Sequence, residues 1–292
     1  MNPSAFPTTP TTSTSPYPTR SSTHSPTPKI TPKFALFATP VTRAEAGLLA
    51  ALLLALLLAC VGPHVSQHAH YHAFADQRTL WGVPCALDVL SNLAFALMGI
   101  WGLAGLRGHM AGTTRSLAGL FFGGLLVTAL CSALYHLQPG DASLAVDRLG
   151  MVLAFAGLTG LAVAERLSAR AGVAVAATVL VAGPLAVWVW QHSANLLPWS
   201  VLQGGGMLLV LAMALRRPLA GASGLPLGAV IAWYTLAKLL ELGDHQVFEL
   251  TQGLVSGHSL KHVFAAMAAW PVMALMHNGA HARIGQHGAV RA

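Results

Sequence analysis

Charge is what this sequence lacks most. Only 9% of its 292 residues are Asp, Glu, Lys or Arg, against about 25% in ordinary soluble domains. A surface built from so few charges cannot be mostly wetted by water, which excludes a conventional soluble globule. Acidic residues are the scarcer sign, and the first 42 residues contain none. Cysteine is rare too. Cys60, Cys85 and Cys131 are odd in number and match no zinc-ribbon or redox spacing, which argues against a disulfide framework. No segment alternates with the period of two that barrel strands need, which excludes a membrane β-barrel.

What is present is apolar and comes in blocks. Hydrophobic residues make up 54% of the chain, grouped in runs that suit membrane spans better than one buried core. The formal charge is +7, but its basic residues are scattered between apolar runs rather than gathered on one face. That argues against nucleic acid as a partner and for a topology signal. Residues 1–42 are rich in Pro, Ser and Thr, too polar to offset the entropy of ordering, and read as a disordered tail.

Eight apolar helical segments follow, at about 45–62, 87–107, 116–137, 147–165, 171–190, 197–215, 225–243 and 258–277. Most approach the roughly 20 residues that cross a hydrocarbon core. The expected fold is all-α, a polytopic transmembrane helix bundle with antiparallel neighbours. Leu57-Leu58-Ala59-Cys60 loosely resembles a lipoprotein cleavage box, but a long preceding tail and Arg43 favour a retained span.

Basic residues orient the bundle. With the N-terminus cytoplasmic, Arg20, Lys29, Lys33, Arg43, Arg107, Arg115, Arg166, Arg170, Arg216, Arg217, Arg283 and Arg291 all fall inside. Arg78 and Arg148 alone fall in outside loops or at outside helix ends, and Lys238 and Lys261 lie within helices. This is the positive-inside pattern, and shifting the count by one span destroys it.

Ionisable residues inside a membrane are costly and mark function. Here they gather at particular helix ends. Asp88, Ser91 and Asn92 open the second segment, and Ser132 and His136 close the third. Asp147 opens the fourth. Lys238, Glu241 and Asp244 close the seventh, and His258 and His262 open the eighth. Odd ends and even starts face the same side, so all five groups converge on the non-cytoplasmic leaflet. His258 and His262 are four residues apart, on one helix face, and form a two-point metal grip. His136 is the best third ligand, with Ser132 one turn behind it. Three histidines with an open fourth position are the arrangement of a catalytic zinc. Asp147 can take a proton from the metal's water, and Ser132 can donate to a developing oxyanion. Lys238 and Glu241 read as an ion pair locking the seventh span, and Asp88, Ser91 and Asn92 as interhelical hydrogen-bonding residues. His64, His68, His70 and His72 form a second cluster in the first outside loop, where their spacing fits no metal geometry.

The order Ser132-xxx-His136, Asp147 eleven residues on, and His258-xxx-His262 near the C-terminus resembles the alkaline ceramidases. These belong to a superfamily of seven-span hydrolases that includes the progestin/adiponectin receptors. Asp88-Val-Leu-Ser91-Asn92-Leu-Ala-Phe95 is similar to the Ser-Asn stretch on that family's first helix. Ser256-Gly257-His258-Ser259-Leu260-Lys261-His262 looks like the bacterial ceramidase-like branch. The resemblance covers about residues 70–278. It implies a zinc ion on His136, His258 and His262, Asp147 handling the proton, and Ser132 steadying the oxyanion. The implied reaction is hydrolysis of ceramide, or a related N-acyl lipid, to a sphingoid base and a fatty acid.

The chain departs from that family twice. An extra helix at 45–62 precedes the seven-span hydrolase core at 86–278, with an outside loop at 63–85 between them and a cytoplasmic tail at 279–292. The added helix carries the N-terminus to the cytoplasm. Animal alkaline ceramidases also bind calcium through acidic residues before the first core helix. Here that region offers Asp76 and Asp88 as a possible second site, with Trp81 and Cys85 between them, which argues against calcium dependence. Ester or phospholipid hydrolysis, and a receptor with a structural zinc, stay open as alternatives. In a bacterium the natural location is the inner membrane, with the zinc site facing the periplasm. The Gly204-Gly205-Gly206 run permits close helix contact, either within one bundle or between subunits.

Overall fold

Helix is the only regular structure in the described residues, apart from one isolated bridge between Leu80 and Val83. The computed structural model describes residues 40–106, 110 and 112–274. Residues 1–39 of the tail, Arg107, the end of the eighth segment and the tail at 279–292 with Arg283 and Arg291 lie outside these.

The helices are α1 (Arg43–Val61), α2 (Ala86–Ser91), α3 (Leu93–Gly105), α4 (Gly112–Leu137), α5 (Asp141–Arg166), α6 (Ala169–Ser193), α7 (Leu197–Ala214), α8 (Leu227–Leu242), α9 (Asp244–Leu250) and α10 (Gly257–Met267). Six spans are long and apolar enough to cross a membrane: α1, the α2–α3 pair, α4, α5, α6 and α7. The seventh and eighth apolar segments fold as α8, of 16 residues, and α10, of 11. Helix resumes after α10 and runs through residue 274. Pro271 accounts for the interruption, because it has no N–H to offer the carbonyl of Met267. Ala268 and Ala269 instead bond three residues back, to Ala265 and Ala266.

Two differences from the sequence reading concern the fourth segment. It begins at Asp141 rather than at 147, so Asp147 sits well inside the helix. Arg148, expected at an outside helix end, is buried at 3% exposure. It is an interior residue and not part of the topology signal. The short α9 also had no forerunner in the hydrophobic pattern.

The core is centred on α4 and α5. Their backbones approach closely because glycines face the contact. A Cβ on Gly124 would lie 2.2 Å from the Ala154 nitrogen, and one on Gly157 would lie 2.3 Å from the Phe121 nitrogen. Without a strong hydrophobic drive between helices in lipid, such small residues let the backbones pack by contact. Thr128 fixes the register, its hydroxyl donating to the carbonyls of Gly124 and Gly150 at 2.9 and 3.2 Å.

Helix α1 lies at the rim, with none of its apolar window buried and Leu49, Leu53, Leu54 and Leu57 exposed. Thr42 and Glu45 cap it reciprocally. Glu45 also accepts from Ser168 at 2.6 Å and from Arg170 at 2.6 and 2.7 Å, tying the N-terminal ends of α1 and α6 together. Within the Gly204–Gly206 run, only Gly206 makes a close contact, where a Cβ would lie 2.3 Å from the Phe155 ring. That contact is inside the bundle.

Candidate metal centre

Two helices bring three histidines together at one end of the bundle. His136 lies in the last turn of α4, and His258 and His262 lie one turn apart in α10. One nitrogen from each comes within 4.8 Å of the others, and all three residues are buried. The ring centroids stand 4.8, 5.0 and 4.9 Å apart. His136 Nε2 and His258 Nε2 are 3.3 Å apart, and His262 Nε2 is buried with no hydrogen-bond partner. Three buried imidazoles with an unpartnered nitrogen at their meeting point could bind a metal ion.

The start of α10 is fixed from several sides. Ser256 caps it by accepting from the Ser259 amide at 2.9 Å. Gly257 lies against the end of α8, where a Cβ would be 2.2 Å from the Leu240 carbonyl oxygen; only a residue without a Cβ fits there. Asp244 accepts from the His258 amide at 2.8 Å and, through its other oxygen, from the Ala75 amide at 2.9 Å.

Ser91 sets the tautomer of His262. Its hydroxyl donates to the Asp88 carbonyl at 2.9 Å, since that oxygen can only accept. Donating there, it accepts from His262 Nδ1–H, 2.7 Å away. The proton on Nδ1 leaves the lone pair on Nε2, which is what a metal ligand requires. Asp88 joins α2 to α10 by accepting from Ser259 and Ser256 at 2.6 and 3.1 Å. The interhelical role expected of Asp88 and Ser91 is thus realised in named contacts.

Beside the histidines lies a cavity of about 100 Å³, bordered by Ser132, Asp147, Arg148, Lys261, His262 and Tyr71. The Ser132 hydroxyl faces the Asp147 carboxylate, and Asp147 Oδ1 has no partner. Lys261 extends between Glu241 Oε1, at 3.2 Å, and His258 Nε2, at 2.8 Å. Lys238 pairs with Glu241 as expected, so one carboxylate answers two ammonium groups. A second cavity of about 120 Å³ shares the wall made by Phe95, Thr128, Met151, Trp199, Gln203 and Tyr234. It continues between Phe121, Leu125, Phe155 and Leu158. From Asp147 to Leu158 is eleven residues of α5, or roughly 16 Å along its axis at about 1.5 Å per residue.

The five polar groups therefore meet at one end of the bundle, joined by the contacts Ser91–His262, Ser259–Asp88, His136–His258, Lys261–Glu241 and Ser132–Asp147. Asp76 and Asp88, the possible second site, each have other partners. Both Asp76 oxygens are taken by Arg78, at 2.8 and 2.7 Å. Burial raises the Asp76 carboxyl, but its hydrogen bonds from Arg78 outweigh this and hold it below the usual range. Asp88 faces serines. Among the described residues, the three histidines are the one group with metal-ligand proximity.

The outer loop contributes what spacing could not show. Phe74 is 5% exposed and packs on His136 and His258 with ring centroids 4.7 and 4.6 Å away. His72 joins Tyr135 at 2.8 Å and Asp141 at 3.0 Å. His64, His68 and His70 are exposed. No regular pattern marks Phe74, because a loop residue has no period to read.

No protein-family model matches the chain, and no curated protein is significantly similar to it.

Proposed function

We propose that this chain is a zinc-dependent membrane hydrolase that cleaves the amide bond of an N-acyl lipid. Ceramide is the substrate suggested by the resemblance to the alkaline ceramidases. The observation that carries the reading is the junction of two cavities. One is polar and bordered by His262, Ser132 and Asp147; the other is apolar and runs on between α4 and α5. An amphipathic substrate with its scissile bond between head and tail suits that shape.

Zinc suits the histidines. Ligand atoms held tetrahedrally at about 2.0–2.1 Å from zinc stand roughly 3.3 Å apart, which agrees with the 3.3 Å between His136 Nε2 and His258 Nε2. Bound there, zinc would lower the pKa of a water to about 7 and polarise the acyl carbonyl. Asp147, which borders the cavity and has an oxygen without a partner, takes the proton of the attacking water and returns it to the leaving nitrogen. Ser132 donates to the developing oxyanion. Once protonated, Asp147 can donate to the Ser132 oxygen, which frees the Ser132 proton for that oxyanion. In this reading the chain crosses the membrane eight times with both termini cytoplasmic. The positive-inside distribution supports it, and the site then faces the non-cytoplasmic side.

The test uses the full chain purified in detergent. Zinc content is measured, and labelled ceramide, N-acyl amines and phospholipids are offered in turn. Wild type should hold one zinc and release fatty acid from an amide; His258→Ala should lose the metal, and Asp147→Asn should keep the metal but lose turnover. Zinc-loaded protein that releases no fatty acid from any of these lipids would sink the enzyme reading. An unchanged zinc content in His258→Ala would sink the ligand assignment.

A further inference from the structure

Arg148 is the strangest residue in the interior. It lies next to Asp147 on α5, is 3% exposed and borders the polar cavity. Its guanidinium carbon stands 4.0 Å from the centroid of the Trp190 ring and 5.7 Å from those of Trp199 and Tyr71. Nη2 donates to Gln67 of the outer loop at 2.8 Å, while Nη1 is buried with no partner. The Tyr71 side chain offers Arg148 a further hydrogen bond, but Nη1 stays unmet, and a buried cation with an unmet donor is expensive. Among the described residues no carboxylate forms a salt bridge with Arg148.

The surrounding charges point the same way. Arg148, Lys238 and Lys261 border the cavity against Asp147 and Glu241. Glu241 is shared by both lysines, and Asp147 is the proton acceptor of the proposed reaction. The cavity thus carries one positive charge more than its carboxylates answer. The residue on its wall with an unmet donor carries a guanidinium, the group best shaped to take a carboxylate or phosphate.

We infer that the polar cavity receives an anionic headgroup, a carboxylate or a phosphate, bound through Arg148 with Lys261 adding charge. The preferred substrate is then an N-acyl lipid bearing an acid on its amine side, such as an N-acyl amino acid or a phosphorylated N-acyl amine, rather than a neutral one. This rests on the hydrolase reading for turnover, but the anion site itself can be tested without it.

Binding comes first. Dodecyl phosphate, dodecanoate and dodecanol are titrated against the purified full chain in a nonionic detergent, read by thermal shift and by microcalorimetry. Both anions should bind at least about tenfold more tightly than dodecanol, as expected when a hydrogen bond to a charged group is gained. Phosphate against carboxylate then ranks the two headgroups. Arg148→Gln should erase the preference, and Arg148→Lys should restore part of it. Equal binding of all three probes to wild type would overturn the inference. So would Arg148→Gln weakening anions and dodecanol alike, since that is what a purely structural arginine does. If Arg148→Gln does not fold, the Arg148→Lys ratio and the wild-type preference decide. Turnover comes second. N-dodecanoylglycine should show a KM at least about tenfold below that of N-dodecanoylethanolamine. Anion binding without turnover of either amide keeps the site and rejects the hydrolase. Turnover without anion preference does the reverse.

Discussion

Replacing Ser91 by alanine should weaken the proposed zinc centre without touching one of its proposed ligands. The serine stands between two fixed points, donating to the Asp88 carbonyl at 2.9 Å and accepting from His262 Nδ1 at 2.7 Å. Alanine takes the hydroxyl acceptor from the Nδ1–H of a residue only 2% exposed. An unmet buried donor costs about 1–3 kcal/mol, and the imidazole is also released to rotate or to change tautomer. Loss of an outer-shell partner typically costs about 10–100-fold in metal affinity, which matches that energy. The assay is competition for zinc with a chelator of known affinity, in detergent, alongside the thermal stability of the metal-free protein. Ser91→Ala should raise the zinc Kd about 10–100-fold, and Ser91→Thr should recover most of it, because threonine keeps the hydroxyl. A zinc Kd within about twofold of wild type would refute the tautomer argument, provided His262→Ala removes the metal in the same assay.

Other sites give independent outcomes. Gly257→Ala puts a Cβ 2.2 Å from the Leu240 carbonyl oxygen; it should cost about 1–3 kcal/mol by overpacking and displace His258, read as a lower Tm and weaker zinc retention. Phe74→Ala removes the ring that covers His136 and His258; it should cost about 3 kcal/mol and speed zinc loss to a chelator more than it weakens equilibrium binding. The Asp76 carboxyl is held low by Arg78, so its stabilisation is complete above the ordinary Asp range near pH 4 and fades as pH falls through the lowered value. Asp76→Asn should therefore lower the Tm at neutral pH and flatten its acid limb, while a wild-type acid limb unchanged by the substitution would show that the pair contributes nothing.

The histidines were legible because helix periodicity and membrane cost act together. A polar residue inside an apolar run is rare enough to notice, and the four-residue step from His258 to His262 says which way both point. The alternation of spans then put Ser132, His136, Asp147 and the others at one end. Arg148 was misread because the helix start was misjudged. Apolar character begins near residue 147, whereas the backbone turns helical at Asp141, so a basic residue that looked terminal lies inside. The aromatic faces that accommodate it come from α6, α7 and the outer loop, and no local pattern links them. Phe74 escaped for the same reason, and Asp244 was seen as a helix end while its two oxygens serve different partners. Periodicity reports which face of a helix is apolar; it is silent on which loop settles over it.

Asp244 has a consequence for traffic through the site. One of its oxygens holds the outer loop at Ala75 and the other holds the first turn of α10 at His258. The loop also rests Phe74 on two of the histidines. The cover and the metal grip therefore share a single joint. On the proposed function, a lipid entering by lifting the loop would pull on the backbone of His258 as it passes, so admission and the readiness of the centre would be two readings of one movement.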